Sequence, residues 1–367
     1  MATIDEHVAS VEGGRLELLG LPKPELAERL APFIDRPYRV EQIYRAMYHR
    51  GVTQLDAITE LSKELRGQLA NAFSLTMPEV EKRQVSADGT IKYLFRLADQ
   101  ATIETVDIPD GRRRTLCLSS QAGCALACRF CVTGYWGGGR NLSSGEIVAQ
   151  VLAAQEQQGG DLRLDGLNLV FMGMGEPLLN LQAVEAALQI LTETISRRRI
   201  TVSTAGVIPG IKAMARWSIR PRLAISLHAP DDRRRSSIMP INQKYPLPDL
   251  MRALRGYPTE PREKITFEYL LIDGFNDSPS DAEAVAKLVR GLPAKVNLIP
   301  LNPDAVLDPE MKPPQPGRVE AFRRRLLSRG LIATVRKQRG DDVSAACGQL
   351  RAPDRDPRGF RRSNLRF

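Results

Sequence analysis

The spacing of apolar side chains along the first 75 residues predicts a small helical module. Three stretches place apolar residues at i, i+3 and i+4, which is the pattern of a helix with one buried face. The predicted helices span residues 16–33, 39–52 and 56–73. Pro22, Pro37 and Gly51 mark the breaks between them. The pattern alone assigns no function to this module.

The pattern then changes to the two-residue alternation typical of strands. Strands are predicted between residues 79 and 109, with Ala87–Gly89 as a hairpin turn. From residue 114 onward, short apolar strands alternate with helical stretches, the first of which begins at Ser143 with Glu146 placed to cap it. This alternation predicts an α/β fold with parallel strands, either an open sheet or a barrel. Sites in such folds lie in the loops that follow the strands.

Length and composition exclude several classes of protein. With 367 residues and 43% hydrophobic content, the chain can form one large domain and a smaller one. No apolar run approaches the ~20 residues of a membrane span, so we expect no membrane association. The polar N-terminus is not a secretory signal, and five cysteines without such a signal predict a reducing cytoplasm.

A net charge of +9 favours a polyanionic partner, most simply a nucleic acid. The basic residues are clustered, and solvated helix ends are the alternative interpretation of such clusters. The clusters are Arg112–Arg114, Arg197–Arg199, Arg233–Arg235, Arg323–Arg325 and an arginine-rich tail from Arg351 onward.

Cys124, Cys128 and Cys131 carry the most specific chemistry in the chain. Their spacing, C-x3-C-x2-C, supplies three thiolates for a [4Fe–4S] cluster and leaves the fourth iron open. An open iron can bind S-adenosylmethionine (SAM) and reduce it to a carbon radical. A structural zinc site needs a fourth ligand, and disulfides suit small secreted domains, so both alternatives are weaker.

Three other features are ambiguous on their own. MGMGEP, at residues 172–177, brings two glycines and Glu176 to a strand end, as a ligand loop or a tight turn would. Cys117 and Cys347 have no evident partner in the sequence. Each could be a buried small hydrophobe, or a covalent nucleophile in its thiolate form.

Taken together, the motifs resemble the RlmN/Cfr family of radical-SAM RNA methyltransferases. The resemblance runs from about residue 15 to Leu350. Pro177 and the segment 339–342 are typical of the RlmN type rather than the Cfr type. The segments that carry the resemblance are CALACRFC, MGMGEPLLN, AISLHAP, LIDGFNDS, KVNLIPLNP and RGDDVSAACGQL. The implied fold is a partial (βα)6 radical-SAM barrel with an N-terminal helical module and a small β-hairpin layer.

The resemblance also implies a role for individual residues. Cys124, Cys128 and Cys131 would ligate one [4Fe–4S] cluster. Cys347 would carry the methyl group, Cys117 would be the resolving thiol, and Glu104 would be the proton acceptor. Seven residues would contact SAM: Gly175, Glu176, Ser203, Ser226, Leu227, His228 and Asn302. Taken singly, His228 could be a core residue, Ser203 and Asn302 could cap turns, and Glu104 could be a plain strand carboxylate.

The implied reaction explains why these residue types are needed. Two SAM molecules would be used per turnover, one to methylate Cys347 and one to generate the radical that activates this methyl group. The resulting adduct with adenine would be released when Cys117 forms a transient disulfide with Cys347. The implied substrates are C2 of adenosine in 23S rRNA and in certain tRNAs. The alternatives are methylation at C8 as in Cfr, a metal-stabilised RNA-binding module without catalysis, and radical chemistry on a small metabolite.

The expected organisation follows from the same resemblance. Residues 1–75 would form a helical RNA-binding module, and residues 76–110 would form a β-hairpin connector between it and the barrel. Residues 111–350 would form the barrel, and residues 351–367 would be a mobile tail. We expect a monomer that receives electrons from a flavodoxin-type donor. The chain departs from the family pattern in the loop 135–142 and at Ala205, and neither departure touches a proposed catalytic group. The arginine-rich tail is not part of the family pattern, so its role stays open.

Overall fold

A computed structural model of the chain describes residues 14–159 and 166–351. Two short strands, β1 and β2, pair with each other, and ten further strands form one sheet in which every strand lies beside its neighbours in the sequence. The strands are β1 (Leu16–Glu17), β2 (Phe73–Ser74), β3 (Glu79–Val85), β4 (Ile91–Arg96), β5 (Thr102–Asp110), β6 (Arg113–Cys117), β7 (Leu167–Phe171), β8 (Ile200–Thr204), β9 (Arg222–Ser226), β10 (Ile265–Leu271), β11 (Ala294–Pro300) and β12 (Ile332–Val335).

Strands β6 to β12 run parallel, and helices connect each of them to the next. Six such connections join seven parallel strands in the described part of the chain, and the end strands β3 and β12 do not pair. The predicted partial barrel is therefore confirmed. The helices are α1 (Lys23–Leu30), α2 (Tyr38–Tyr48), α3 (Lys63–Ala72), α4 (Val132–Tyr135), α5 (Ser144–Gln157), α6 (Leu181–Leu191), α7 (Ile208–Met214), α8 (Asp232–Ile238), α9 (Leu247–Arg255), α10 (Pro279–Leu288) and α11 (Pro316–Ser328).

The core lies between the sheet and these helices. All seven residues of β10 are buried, which fits a central parallel strand with both faces covered. Phe267 and Tyr269 are fully buried there, and the Tyr269 ring stacks on Phe322 of α11. Within the described residues, no helix has the length and apolar character needed to cross a membrane.

The N-terminal module differs from the sequence prediction at its helix boundaries. The first helix begins at Lys23 rather than at residue 16, because Leu16–Glu17 pair with Phe73–Ser74 as parallel strands. The third helix begins at Lys63, where the Ser62 side chain accepts the Leu65 N–H. The apolar side chains of the first segment are buried, as predicted, but the part of the chain that carries them is a strand followed by a turn and not a helix.

Strands β3 to β5 form the antiparallel end of the main sheet. The sequence predicts a small layer between the module and the barrel, and the structure joins this layer to the barrel sheet, because β5 pairs directly with β6 through the register Val106↔Cys117. The pairing supplies partners for backbone groups that would otherwise be exposed on the edge of β6. The expected boundary at residue 110 falls in the turn of this hairpin. Residues 1–13 and the tail from residue 352 lie outside the described residues.

Helix α5 fastens the module to the sheet. It begins with the predicted capping box, in which Ser143 and Glu146 each accept the other's backbone N–H. The Ser144 hydroxyl donates to the Gly20 carbonyl (2.7 Å), and Gly20 N–H donates to the hydroxyl of Tyr48 (2.8 Å). Gly145 packs so closely that a Cβ there would overlap the backbone of the module.

We expect Gly145→Ala to destabilise the protein by about 1–3 kcal/mol, because the new methyl group has no space at this contact. The matched control is Gly67→Ala in α3, an exposed helical glycine with no heavy atom within 4 Å of the added Cβ. It should stabilise by about 0.5–1 kcal/mol through helix propensity. Urea denaturation at 25 °C measures both changes, and equal effects would contradict the close contact.

Candidate active site

Two adjoining cavities lie at the carboxyl ends of the parallel strands. The larger has a volume of about 490 Å³ and the smaller about 150 Å³. Both include residues from the ends of β7 and β11 and from the C-terminal segment. The residues common to both walls are Met172, Ile299, Asn302, Arg336 and Cys347. A ligand in one cavity therefore lies next to a ligand in the other.

The three clustered cysteines all face the smaller cavity. Their loop, between β6 and α5, is closed by a hydrogen bond from Cys124 N–H to Gly137 O (2.9 Å) and by one from Val132 N–H to Gly348 O (2.6 Å). Burial and, to a smaller extent, a neighbouring Cys131 thiolate raise the pKa of the Cys124 thiol to about 12. The same two causes raise the pKa of Cys128.

This environment fits an iron–sulfur cluster. Buried thiolates that repel one another are stabilised when they bind cations, and metal binding to thiols releases their protons. Within the described ranges, no three His, Cys, Asp or Glu side chains converge closely enough to hold a single metal ion. In a four-iron cluster each thiolate binds a different iron, so the cysteines need not converge on one point.

Six of the seven predicted SAM contacts line the smaller cavity. They come from the ends of four different strands and meet only in the folded chain. These six are Gly175, Glu176, Ser203, Ser226, His228 and Asn302. Leu227 is the exception, because its side chain is fully buried in the core and its N–H donates to Glu268 O (2.9 Å).

Glu176 is a buried carboxylate held by backbone groups. It accepts N–H groups from Ala205 (2.7 Å) and Leu178 (3.0 Å), and burial raises its pKa to about 7. The preceding Gly175 has φ +95°, and a Cβ there would overlap the Gln121 side chain. MGMGEP is thus a tight turn and a cavity wall at once, so the two interpretations left open by the sequence are compatible.

His228 is a neutral imidazole in the cavity wall. Burial and, to a smaller extent, the charge of Arg235 lower its pKa to about 3. Nδ1 accepts the Leu270 N–H (3.0 Å), so the proton of the neutral ring is on Nε2. The residue has φ +56° and packs edge-on against Phe130, with ring centroids 4.7 Å apart. Because His228 lines the cavity, it can contact a bound ligand as well as pack against the core.

Cys347 and Cys117 lie close together although 230 positions separate them in the sequence. Cys347 belongs to the wall shared by both cavities, and Cys117, at the end of β6, lines the larger one. Burial raises the pKa of Cys117 to about 12, with a contribution from a negative charge on Cys347. The Cys347 carbonyl accepts a hydrogen bond from Asn302 Nδ2 (3.1 Å).

Sequence reasoning missed Arg336 and Glu268, which also lie in the cavity walls. Arg336 lines both cavities, and negative charge on Cys347 raises its pKa. Glu268 is buried in β10, where Asn297 Nδ2 donates to it (2.7 Å). A charged residue within an otherwise apolar strand was the signal available in the sequence, since such a residue needs a partner inside the fold.

Glu104 lies outside both cavities, in the middle of β5. Its carboxylate pairs with Lys92 (3.1 Å) and accepts the N–H of Arg351 (2.9 Å). Lys92 also donates to the Ser344 carbonyl (3.2 Å), and burial raises the pKa of Glu104. The pair thus anchors both ends of the segment that carries Cys347, and the role of proton acceptor stays a prediction.

The arginine clusters are less available to bind a nucleic acid than the sequence suggests. In each described cluster at least one arginine is paired with a carboxylate. These pairs are Arg114–Asp107, Arg197–Glu260, Arg234–Asp281 and Arg323–Glu320, and Arg235 is completely buried. The larger cavity has a basic rim formed by Arg336, Lys337 and Arg339, of which Arg339 pairs with Asp88 (3.8 Å) and Asp110 (3.9 Å). Positive charge beside the cavity suits the phosphates of a nucleic acid.

Comparisons with known proteins agree with this geometry. The Radical SAM superfamily matches residues 118–289, and the ribosomal RNA large subunit methyltransferase N-terminal domain matches residues 16–75. The chain is 45% identical over 344 residues to the dual-specificity RNA methyltransferase RlmN of Anaeromyxobacter dehalogenans, with 92% of each chain covered. It is 46% identical to that of Syntrophobacter fumaroxidans, over 89% of this chain and 95% of the relative.

A solved structure shows the same similarity in three dimensions. The crystal structure of a radical SAM methyltransferase from Sphaerobacter thermophilus superposes with a TM-score of 0.86 at 46% identity. The match covers 92% of this chain and 99% of that one.

Lys92→Met should destabilise the protein by about 3–5 kcal/mol, because it leaves the buried Glu104 without its partner. The double variant Lys92→Met/Glu104→Gln should recover part of this loss, since no uncompensated charge remains. Urea denaturation of the wild type, the two single variants and the double variant gives the coupling free energy between the two side chains. Additive single effects would show that the two side chains do not form a pair.

In the metal-free protein, Glu176 should make the free energy of unfolding fall as the pH rises from about 4.5 to about 7. The native carboxyl keeps its proton up to about pH 7, whereas the unfolded one loses it near 4.5, so the native state binds more protons in this window. Glu176→Gln removes the effect. Urea denaturation at pH 5 and pH 8 should find the variant relatively more stable at pH 8, and a pH-independent difference would contradict the raised pKa.

Proposed function

The chain belongs to the RlmN family of radical-SAM RNA methyltransferases, and we propose that it methylates C2 of adenosine in 23S rRNA and in certain tRNAs. One observation carries the proposal. Cys347 lies on the wall between a cavity that contains three cluster-type cysteines and a cavity that contains Cys117. A thiol in this position can receive a group on one side and deliver it on the other.

The smaller cavity would hold one [4Fe–4S] cluster and SAM. Cys124, Cys128 and Cys131 would ligate the cluster, and the six residues at the strand ends would contact SAM. When bound, these cofactors supply the methyl group and the radical chemistry that an unreactive ring carbon of adenine requires. We propose that two SAM molecules are used per turnover. Glu176, with two backbone donors, is suited to orient a cationic amino group.

The chain's own thiols would carry out the transfer. Cys347, as a thiolate, would accept the methyl group and hold it as S-methylcysteine. Arg336 lines both cavities, and its positive charge lowers the pKa of Cys117, which favours the thiolate form of that side chain. After the base has become attached through this carbon, Cys117 thiolate would attack the sulfur of Cys347. The S–S bond forms as the C–S bond breaks, the electron pair of that bond stays with the carbon attached to the base, and this carbon takes up a proton from solvent to become the methyl group.

Glu104 would take the ring proton in this scheme. Its raised pKa suits a general base, since burial weakens the hydration of its charge. In the described conformation it pairs with Lys92 and with the Arg351 backbone. Its role in catalysis would therefore require the segment around Cys347 to shift and release the carboxylate.

The larger cavity would receive the adenine. Enzymes that act on a base take it out of its stack, and a basic rim can hold the flanking phosphates. The N-terminal module, whose family is named for ribosomal RNA methyltransferases, would help to bind the RNA. We propose that the enzyme acts as a monomer in the cytoplasm and takes electrons from a donor of the flavodoxin type.

The test is anaerobic incubation of the reconstituted protein with SAM, a reductant and a 23S rRNA fragment that carries the peptidyl-transferase loop. Nucleoside mass spectrometry should find 2-methyladenosine with the wild type and none with Cys347→Ala. Cys117→Ala should accumulate a covalent protein–RNA adduct, visible as a shifted band, because it can attach the base but not release it.

Other outcomes would change the assignment. The product 8-methyladenosine would identify a Cfr-type reaction. A protein that binds RNA but holds zinc, with unchanged behaviour in Cys347→Ala, would indicate a binding module. Release of 5′-deoxyadenosine without any methylated base would contradict the proposed RNA substrate but would support the proposed radical chemistry.

A further inference from the structure

Arg235 is a buried charge beside the smaller cavity for which the proposed reaction has no role. It lies in α8, its side chain is completely inaccessible, and it does not line either cavity. Its neighbour Arg233 is exposed on the same short helix. Burying an arginine is costly, so its position needs a physical explanation.

Neutral oxygens satisfy the Arg235 guanidinium. Nε donates to the Leu227 carbonyl (3.0 Å), and Nη2 donates to the carbonyls of Ser226 (2.8 Å) and Ala205 (2.6 Å). Nη1 donates to Asn242 Oδ1 (2.7 Å). In the part of the chain that the structure describes, no Asp or Glu forms an ion pair with this guanidinium. The Asp232 carboxylate acts on the guanidinium at longer range, through Asn242, whose Nδ2 donates to Asp232 Oδ1 (2.9 Å). The positive charge is therefore solvated mainly by dipoles.

These acceptors belong to the turns that form the cavity. Ala205 and Ser226 line it, and Leu227 lies between Ser226 and His228. Arg235 thus holds the ends of β8 and β9 together from behind the cavity wall. The backbone of Ala205 links two buried ionisable side chains, because its N–H donates to Glu176 and its carbonyl accepts from Arg235.

The charge of Arg235 reaches groups in the cavity wall. The helix that carries Arg235 packs against the cysteine loop, because the Ile238 carbonyl at its end accepts the N–H of Arg129, the residue after Cys128 (3.0 Å). Ala205 and Met239, whose backbone groups bond to Arg235, line the same cavity as Cys128. Burial lowers the pKa of Arg235 itself to about 10, so it remains a cation at neutral pH. A permanent positive charge therefore lies within electrostatic reach of Cys128.

We propose that Arg235 is a positioning residue whose fixed charge makes the cluster at Cys124, Cys128 and Cys131 easier to reduce. The inference rests on the proposed function. One-electron reduction by a low-potential donor adds one negative charge to the cluster, and a cation buried nearby stabilises the reduced state more than the oxidised one. Water screens this interaction little, because the guanidinium is inaccessible.

The experiment compares Arg235→Gln, which is neutral but can still donate hydrogen bonds, with Arg235→Lys, which keeps the charge. Arg233→Gln removes the same charge from the exposed side of the same helix. Each anaerobically reconstituted protein is titrated with a low-potential reductant, and electron paramagnetic resonance measures the reduced cluster. Arg235→Gln should lower the equilibrium constant for reduction at least tenfold, or 59 mV for one electron. Arg235→Lys and Arg233→Gln should stay near the wild type.

Equal shifts in Arg235→Gln and Arg235→Lys would overturn the inference, since geometry rather than charge would then be the cause. An unchanged value in Arg235→Gln would also overturn it. Loss of the cluster from both variants, in chains that keep the wild-type circular dichroism spectrum, would assign Arg235 to backbone geometry alone. A wild-type protein that binds no redox-active cluster would instead contradict the proposed function.

Discussion

The parallel pairing of β6 to β12 is the constraint on which the site depends. It directs the carboxyl end of each strand to the same edge of the sheet, so the loops that follow them converge. The cysteine loop follows β6, MGMGEP follows β7, and Ser203 and Ser226 lie near the ends of β8 and β9. No contact between these segments is local in the sequence, and a shift in strand order would separate them.

Convergence at one edge brings charges together in a place with little water. Glu176 and Arg235 are both buried there; backbone N–H groups donate to Glu176, and backbone carbonyls and the Asn242 side chain accept from Arg235. Because the Ala205 backbone contacts both, the Glu176 carboxyl and the Arg235 guanidinium stabilise one turn from opposite sides. The hydrogen bonds that compensate for burying these side chains also fix the cavity wall. Both side chains can therefore act electrostatically on a ligand in the cavity.

The antiparallel end of the sheet has a different task, which is to hold the C-terminal segment. Lys92 contacts the Ser344 carbonyl, Asp88 accepts the Gly340 N–H, and Glu104 accepts the Arg351 N–H. These bonds place Cys347 against the parallel edge, where Asn302 holds its carbonyl. Ala345 and Leu350, on either side of Cys347, are buried in the main core, so apolar packing also holds the segment in place.

The sequence by itself determined the elements and the chemistry that depend on near neighbours. Apolar spacing gave the strands and most helices, the Ser143–Glu146 pair marked the start of α5, and the cysteine spacing indicated a cluster, because each signal lies within a few residues. Tertiary structure decided the rest. Leu16–Glu17 form a strand only because Phe73–Ser74 lie alongside, and Leu227 faces the core while its neighbours face the cavity. An arginine of a basic cluster became the buried Arg235, because partners distant in the sequence supplied its hydrogen bonds, and one-dimensional patterns do not record which distant groups meet.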